Sequence, residues 1–472
     1  MRAPSGSRKG HNRETHTGRP GAGRPGNRRG SSPRPSRPSS FNQEFAPPVS
    51  TTPGLPPVSS FSELDLPARL LEVLQRQGLS SPSAIQAETL PNSLAGRDVL
   101  GRSQTGSGKT LAFGLPLLAR LEGRTAQAGH PLALVLAPTR ELAQQVTEAL
   151  TPYARSVRIR VTTVVGGMSL SRQAQSLRRG TELVVATPGR LRDLVERGDC
   201  RLDQVGTTVL DEADQMTDMG FMPQVTAILQ QIPADGQRML FSATLDRNVD
   251  TLVRRFLHDP VVHSVDPSEG AVSTMEHHIL HVTPAEKRDT VTHIAARDGQ
   301  VLMFLDTKRA VDSMAKHLLA NGVRAAILHG GRSQPQRTRT LQQFKDGTVT
   351  ALIATNVAAR GIHVDGLDLV VNIDPPADHK DYLHRGGRTA RAGASGNVVT
   401  LVLPHERRGM VRMMDHARID AHTLRVSAED PELARVTGAR TPSGVPAVLP
   451  SEPKERSRSF GSAPRGRRRP RR

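Results

Sequence analysis

Short apolar, β-branched runs recur along the chain and alternate with segments whose apolar residues return every three or four positions. The first six runs fall at 99–101, 132–137, 161–165, 183–186, 207–210 and 239–242. Amphipathic stretches such as 139–154 lie between them. Runs this short and this uniformly apolar predict strands buried on both faces, and the helical patterns between them predict a parallel sheet covered by helices. Pro, Gly and Ser break the pattern at about 259–273, which predicts a linker. Six more runs follow at 278–282, 301–305, 325–328, 351–354, 369–372 and 398–403. The expected class is α/β, with two consecutive parallel-sheet domains at 61–262 and 275–428, a linker at 263–274, and tails at 1–60 and 429–472.

A chain of 472 residues accommodates two ordinary domains plus tails. The charge sharpens that division. Residues 1–40 carry ten Lys/Arg and one acidic residue, and residues 451–472 carry nine and two. These ends therefore hold +9 and +7 of the net +19, leaving +3 for the rest. Both are rich in Gly, Pro, Ser and Arg and poor in apolar residues, so they are expected to be disordered. Such basic arms either solubilise or attract nucleic-acid phosphate without reading sequence. A single cysteine, Cys200, excludes an internal disulfide and suits a reducing compartment. The sequence shows neither a long apolar span nor the apolar core of a signal peptide, so a cytoplasmic protein without membrane contact is expected.

Two segments carry most of the chemistry. Ser103-Gln104-Thr105-Gly106-Ser107-Gly108-Lys109-Thr110 has the composition of a phosphate cradle. Its small residues bring backbone N–H groups near phosphate oxygens, Lys109 adds positive charge, and Thr110 offers a hydroxyl to Mg2+. About a hundred residues on, the apolar run 207–210 ends in Asp211-Glu212-Ala213-Asp214. Carboxylates delivered at a strand end beside a phosphate loop can hold magnesium and aim water in an NTPase.

Together these segments resemble the DEAD-box ATP-dependent RNA helicases of bacterial type. Over about Phe61 to His405, more than eight of that family's motifs follow in order. The resemblance implies two tandem RecA-like domains, ATP and Mg2+ as ligands, and RNA-stimulated ATP hydrolysis that locally unwinds or remodels RNA duplexes and RNA–protein complexes. It implies that Asp211 orders magnesium, that Glu212 activates the attacking water, and that Asp214 couples to Ser242 and Thr244 of Ser242-Ala243-Thr244. Gly78 to Gln86 resembles the Q motif, so Gln86 would read adenine by its amide edge, with the isolated Phe61 upstream. In the first domain, Pro138-Thr139-Arg140-Glu141-Leu142, Gly166-Gly167 and Thr187-Pro188-Gly189-Arg190 match RNA-contact motifs. Taken singly, the first and last of these also read as capped helix starts.

The second half offers Phe304, Thr307 and Lys308, then Gln334, Arg337 and Thr355, and finally His384-Arg385-Gly386-Gly387-Arg388-Thr389-Ala390-Arg391. By the resemblance Arg388 and Arg391 are arginine fingers, His384 and Arg385 shape the same interface, and Gln334, Arg337 and Thr355 touch RNA. Departures from the family pattern are Ser103 for Ala, Leu79 for an aromatic residue, Gly331, Asn356 and His363 for Asp, Gly386 for Ile, and Ala390 for Gly. They bear on base packing, ribose contact and turnover, and leave the phosphate, magnesium and arginine groups in place. The expected partner is structured or duplex RNA recognised with little sequence specificity, with ribosomal precursors or decay machinery as candidates and the protein a monomer. An ATP-gated RNA clamp or annealer and a DNA helicase remain as alternatives, to be separated by strand-displacement against annealing and by RNA against DNA stimulation.

Overall fold

The computed structural model describes residues 51–103, 106–245, 247–265, 275–359, 367–389 and 396–449. The alternation read from sequence folds into two parallel seven-stranded sheets. The first contains β1 (Val99–Arg102), β2 (Ala133–Leu136), β3 (Val161–Val164), β4 (Leu183–Ala186), β5 (Thr207–Leu210), β6 (Gln237–Ser242) and β7 (Val261–Ser264) in the order β3-β4-β2-β5-β6-β1-β7. The second contains β8 (Met275–His281), β9 (Val301–Phe304), β10 (Ala325–Leu328), β11 (Ala351–Ala354), β12 (Leu369–Asn372), β13 (Gly396–Val402) and β14 (His422–Arg425) in the order β10-β11-β9-β12-β13-β8-β14. Strands β2, β4, β5 and β6 are buried along their whole length, as are β9, β11 and β12. Each sheet separates two apolar layers; Val135, Val185 and Val209 face one, and Leu134, Val184 and Leu210 face the other. These are tandem RecA-like α/β domains.

All twelve strands expected from apolar runs are present. Two edge strands are additional. Their sequences, Val-Val-His-Ser in β7 and His-Thr-Leu-Arg in β14, carry polar residues that interrupt any apolar run. Strand β7 therefore places ordered structure across the 262 limit drawn from sequence. The limit at 428 also moves: the helix Pro431–Thr437 lies beyond it and buries Leu433 and Val436 in the second domain's core. That helix is too short for a clear apolar period. The segment after it stays attached through Gly444 N–H to Asn321 carbonyl and Ala447 N–H to Leu319 carbonyl bonds. At the other end, Thr51 and Thr52 N–H groups bind the Asp259 carboxylate, so ordered contacts start before residue 61. The tail segments 1–50 and 450–472 and most of the expected linker (266–274) lie outside the described residues. Among the described residues, no helix is long and apolar enough to cross a membrane.

Candidate nucleotide and RNA sites

Strand order divides the first domain's functional loops into two groups. All strands are parallel, so their carboxyl ends share one edge, where ligands of open α/β sheets bind. The phosphate loop follows β1, Asp211 and Glu212 follow β5, and Ser242 to Thr244 follow β6; these three strands are neighbours. Pro138 to Arg140 follow β2, Gly166 and Gly167 follow β3, and Thr187 to Arg190 follow β4, again three neighbours. The second sheet repeats the division. Gln334 and Arg337 lie beyond β10 and Thr355 beyond β11, whereas His384 and Arg388 lie beyond β12.

The phosphate loop is folded upon itself. Gly106 and Gly108 have φ of 88° and 97°, a left-handed conformation that glycine adopts without strain. A side chain at Gly108 would also collide with Gln86 and Ser83. Gly108 precedes the helix Lys109–Leu121, placing Lys109 and Thr110 in its first turn. Lys109 is 7 % exposed and donates from Nζ to the Ser103 carbonyl at 3.0 Å. Ser107 Oγ donates to Ser103 Oγ at 2.9 Å. Ser83 Oγ donates to the Ser107 carbonyl at 2.7 Å, and Gln86 Nε2 to the Gly108 carbonyl at 2.9 Å. Gln86 Oε1 accepts from the Ser83 N–H at 3.0 Å, so both ends of the proposed base-reading amide are engaged within the protein. Gln104 and Thr105 lie outside the described residues. Phe61 is 4 % exposed and packs into the first domain's core, whereas Leu79 remains 36 % exposed.

The acidic end of β5 is buried. Asp211 and Glu212 are 3 % and 4 % exposed, and Asp211 Oδ1 and Glu212 Oε2 have no hydrogen-bond partner. Glu212 takes a left-handed conformation, φ 50°, a costly position for a residue with a Cβ. Burial pushes the Asp211 carboxyl well above the usual carboxylate range; Lys109 opposes the shift, and Glu212 and Asp214 add to it. Orphaned carboxylate oxygens with a raised proton affinity fit a cation-binding position. Among the described residues no group of three His, Cys, Asp or Glu forms a ready-made metal cage. Mg2+ sites commonly use only one or two carboxylates together with substrate phosphates and water.

Asp214 is the hub of the neighbouring loop. Its Oδ2 accepts from the N–H groups of Ala243 and Thr244 at 3.2 and 3.0 Å and from Thr244 Oγ1 at 3.1 Å. Asp214 also meets Ser242, through its N–H, which donates to Ser242 Oγ at 3.3 Å. His384 Nε2 stands 3.9 Å from Asp214 Oδ2, an electrostatic contact too long for a hydrogen bond. Burial alone would raise the Asp214 carboxyl; His384, Lys109 and the Thr244 N–H outweigh it and hold the group below its ordinary value.

On the other half, Thr139 caps the helix Arg140–Ser156 by accepting from the Leu142 N–H at 3.2 Å. Arg140 lies across Gly166 and Gly167, which leave room for its guanidinium. Thr187 is the N-cap of the helix Pro188–Glu196, and Arg190 donates to the Met168 carbonyl at 2.9 Å. Nothing would obstruct a side chain at Gly189, so its surface is open. From the second domain, Gln334 Nε2 donates to Glu141 Oε1 at 2.8 Å and Arg337 pairs with Glu141 Oε2 at 3.0 Å. Arg337 also donates to the Ala358 carbonyl, and Thr355 is 9 % exposed. Glu141, in the first turn of that helix, is a functional residue that the sequence alone does not single out.

Arg388 is 5 % exposed and donates from Nε to the His384 carbonyl at 3.2 Å. Arg385 turns inward. It is 2 % exposed, donates to Asn372 Oδ1 and the Asp374 carbonyl at 3.2 and 3.0 Å, and lies over the Phe304 ring. It braces the base of the interface without presenting charge to it. Arg391, Ala390 and His363 lie outside the described residues.

A phosphate loop and strand-end carboxylates on one RecA-like domain, met by basic residues of a second, define a two-domain P-loop NTPase of helicase type. The sequence matches the DEAD/DEAH box helicase family over residues 83–252 and the helicase conserved C-terminal domain over 286–393. It is 40 % identical over 351 residues to the DEAD-box ATP-dependent RNA helicase CshA of Geobacillus kaustophilus, covering 74 % of each chain. It is 42 % identical over 353 residues to the ATP-dependent RNA helicase DBP2 of Meyerozyma guilliermondii, covering 73 % of this chain and 64 % of that one. The chain thus spans under two thirds of that yeast relative. The fold matches S. cerevisiae Dbp5 bound to RNA and ADP BeF3, with a TM-score of 0.72 and 29 % identity over 81 % of this chain and 99 % of that one. The chain belongs to the DEAD-box ATP-dependent RNA helicase family.

Proposed function

We propose that this protein is an ATP-dependent RNA helicase that locally unwinds or remodels RNA duplexes and RNA–protein complexes, coupled to RNA-stimulated ATP hydrolysis. One observation carries the reading: the second domain reaches the first in both halves of the cleft, through Gln334 and Arg337 to Glu141 and through His384 to Asp214. A ligand bound in either half therefore biases the same domain arrangement, which is what coupling between ATP and RNA requires.

In this reading ATP occupies the phosphate loop, with Gln86 on adenine and Lys109 on the phosphates. Thr110 and Asp211 would hold Mg2+, which would supply positive charge to the phosphates. Glu212 orients the attacking water, and Arg388 and Arg391 stabilise charge on the transferred phosphoryl group. Asp214, Ser242 and Thr244 relay the nucleotide state. RNA runs past Pro138, Thr139, Arg140, Gly167, Thr187, Gly189 and Arg190, then Gln334, Arg337 and Thr355. Contacts of this kind go to phosphate and ribose and carry little sequence information. A monomer acting in the cytoplasm on structured RNA, including ribosomal precursors or transcripts being degraded, suits this chemistry. ATPase measured with and without RNA tests the reading. Lys109→Ala should abolish turnover, and Arg391→Ala should lower it by roughly 10³-fold or more. Full RNA-stimulated turnover in Arg391→Ala would remove the two-domain mechanism.

A further inference from the structure

Arginine gathers at the end of the first sheet that faces away from the motif loops. Segments 122–130, 155–160, 178–182 and 197–203 lead into β2, β3, β4 and β5, which are neighbours in the order β3-β4-β2-β5. Printed bonds join the segments into one surface. Arg201 N–H donates to the Gly129 carbonyl at 2.8 Å, Gly129 N–H to the Leu177 carbonyl at 2.9 Å, and Ala126 N–H to Glu182 Oε1 at 3.1 Å. Arg160 donates to the Arg179 carbonyl at 2.7 Å. The four segments hold eight arginines, no lysine and four acidic residues, a net +4, whereas residues 41–450 as a whole carry +3. All eight arginines are exposed.

Two carboxylates order this array without cancelling it. Glu182, 2 % exposed, holds the Arg160 guanidinium, and Asp199 holds Arg178 and Arg197 at 2.7 and 3.0 Å. Arg124, Arg155, Arg158, Arg179 and Arg201 form no ion pair among the described residues. Helix-end electrostatics accounts for Arg155 and Arg178, which lie in last turns, where cations are favoured. It does not account for Arg124, Arg160 and Arg201, which lie outside helices. Arg158 keeps its side chain at φ 60°, just past a helix end where glycine is usual. Like charges held this close repel one another, and a polyanion relieves that repulsion. The ends of four adjacent strands extend over roughly 14 Å, which suits a run of phosphates, and guanidinium forks match phosphate oxygens.

We propose that this end of the first domain is a second RNA site, which holds by its phosphates a further stretch of the structured RNA engaged at the motif loops. The proposal rests on RNA being the substrate and adds a site that the motif residues do not form. Those residues follow β2, β3 and β4 at their carboxyl ends, roughly 13 Å of strand away. A short strand bound there does not reach this surface; a long RNA passing the edge strand β3 does. Phosphate contacts carry no sequence information, so the site adds holding and not selectivity.

The full-length protein is titrated over a range of salt with two RNAs, an oligouridine only long enough to cross the motif loops and a long RNA carrying several hairpins. Arg155→Gln, Arg158→Gln and Arg179→Gln combined should weaken binding of the long RNA roughly tenfold and lower its log–log salt slope by roughly 2. Oligouridine affinity and the ATPase rate at saturating oligouridine should stay within about twofold of wild type. Lys at the same three positions should restore the salt slope, because counterion release follows charge. Arg407→Gln, Arg408→Gln and Arg412→Gln combined remove the same charge from the exposed face of a second-domain helix and should leave long-RNA binding within about threefold of wild type. Thermal unfolding checks that each variant is folded. Unchanged long-RNA binding in the first triple variant overturns the site and leaves its arginines to an acidic protein partner. Equal weakening in the two triple variants overturns it in favour of net charge, and equal weakening for both RNAs overturns it in favour of an effect on the motif loops. Failure of the wild-type protein to bind either RNA overturns the site together with the RNA reading.

Discussion

Replacing Glu141 by Gln should separate the stability of the domains from their coupling. Glu141 and Arg337 are 5 % and 9 % exposed and meet at 3.0 Å between the two domains. Removing one member of such a pair costs roughly 3–5 kcal/mol when the partner stays buried. Two features lower that figure. Gln at 141 still offers an oxygen to Gln334. Burial also holds the Arg337 guanidinium below its ordinary value although Glu141 opposes it, so desolvation already consumes much of the attraction. About 2–3 kcal/mol is then lost, or roughly 30–150-fold in the population with the domains joined. When the domains part, Arg337 regains water, so neither domain's own core is weakened. RNA titrations of ATPase should show an apparent RNA affinity weakened at least about 30-fold, with the melting temperature within about 2 °C of wild type. Arg337→Gln added to Glu141→Gln should cost less than the sum of the two single changes. An RNA affinity within threefold of wild type would refute the assignment of coupling to this contact.

Nucleotide choice should follow Gln86: the wild type should hydrolyse ATP far better than GTP, and Gln86→Ala should narrow the gap, read from turnover with each nucleotide. A protein truncated to residues 41–450 should keep its rate at saturating RNA and lose RNA affinity and steepness of salt dependence, because the ends removed carry +9 and +7 of the net charge. His277 is buried against the Tyr382 hydroxyl, and burial, helped by His278, pushes its pKa down to about 4. The unfolded chain therefore takes up this proton first, so the contribution is intact above about pH 6.5 and is lost as pH falls toward 4, by up to roughly 3 kcal/mol. His277→Gln should flatten that part of the stability–pH curve of chemical denaturation.

What was legible in the sequence had local chemical signatures. Seven of the twelve strands read from sequence are buried throughout and most of those are largely apolar, whereas the edge strand β3 is only half-buried and is legible from its β-branched run Val-Thr-Thr-Val. Edge strands β7 and β14 could not be read, because polar residues break their apolar runs: His263 is buried but bonded to Asn92 and Glu88, and His422 and Arg425 are exposed. Motif residues were legible where the backbone itself is specialised, as at Gly106 and Gly108. Side-chain destinations were less so. Arg385 and Arg388 are near neighbours in one motif, yet Arg385 turns inward over the Phe304 ring, where it bonds Asn372 and Asp306 at the ends of two other strands. Gln86, expected to read adenine, has its amide engaged at both ends by Ser83 and Gly108. Glu141 gained its significance only from residues about two hundred positions away.

The strength of the cross-domain contacts bears on how such a cycle can turn. His384 and Asp214 are 3.9 Å apart, beyond hydrogen-bond reach, and the Glu141–Arg337 pair spends much of its attraction on desolvation. Together they supply a few kcal/mol at most, comparable with the ordering cost of bringing two tethered domains into register. Contacts of that size can select an arrangement but cannot lock it. Occupation of both cleft halves has to supply the remaining bias, and loss of the phosphoryl group from one half would return the balance to separation. A tighter interface, for example one in which His384 formed a short bond to Asp214, would favour joined domains without ligand. It would then lose the dependence of ATP turnover on RNA, because the joined state would no longer report that RNA is bound.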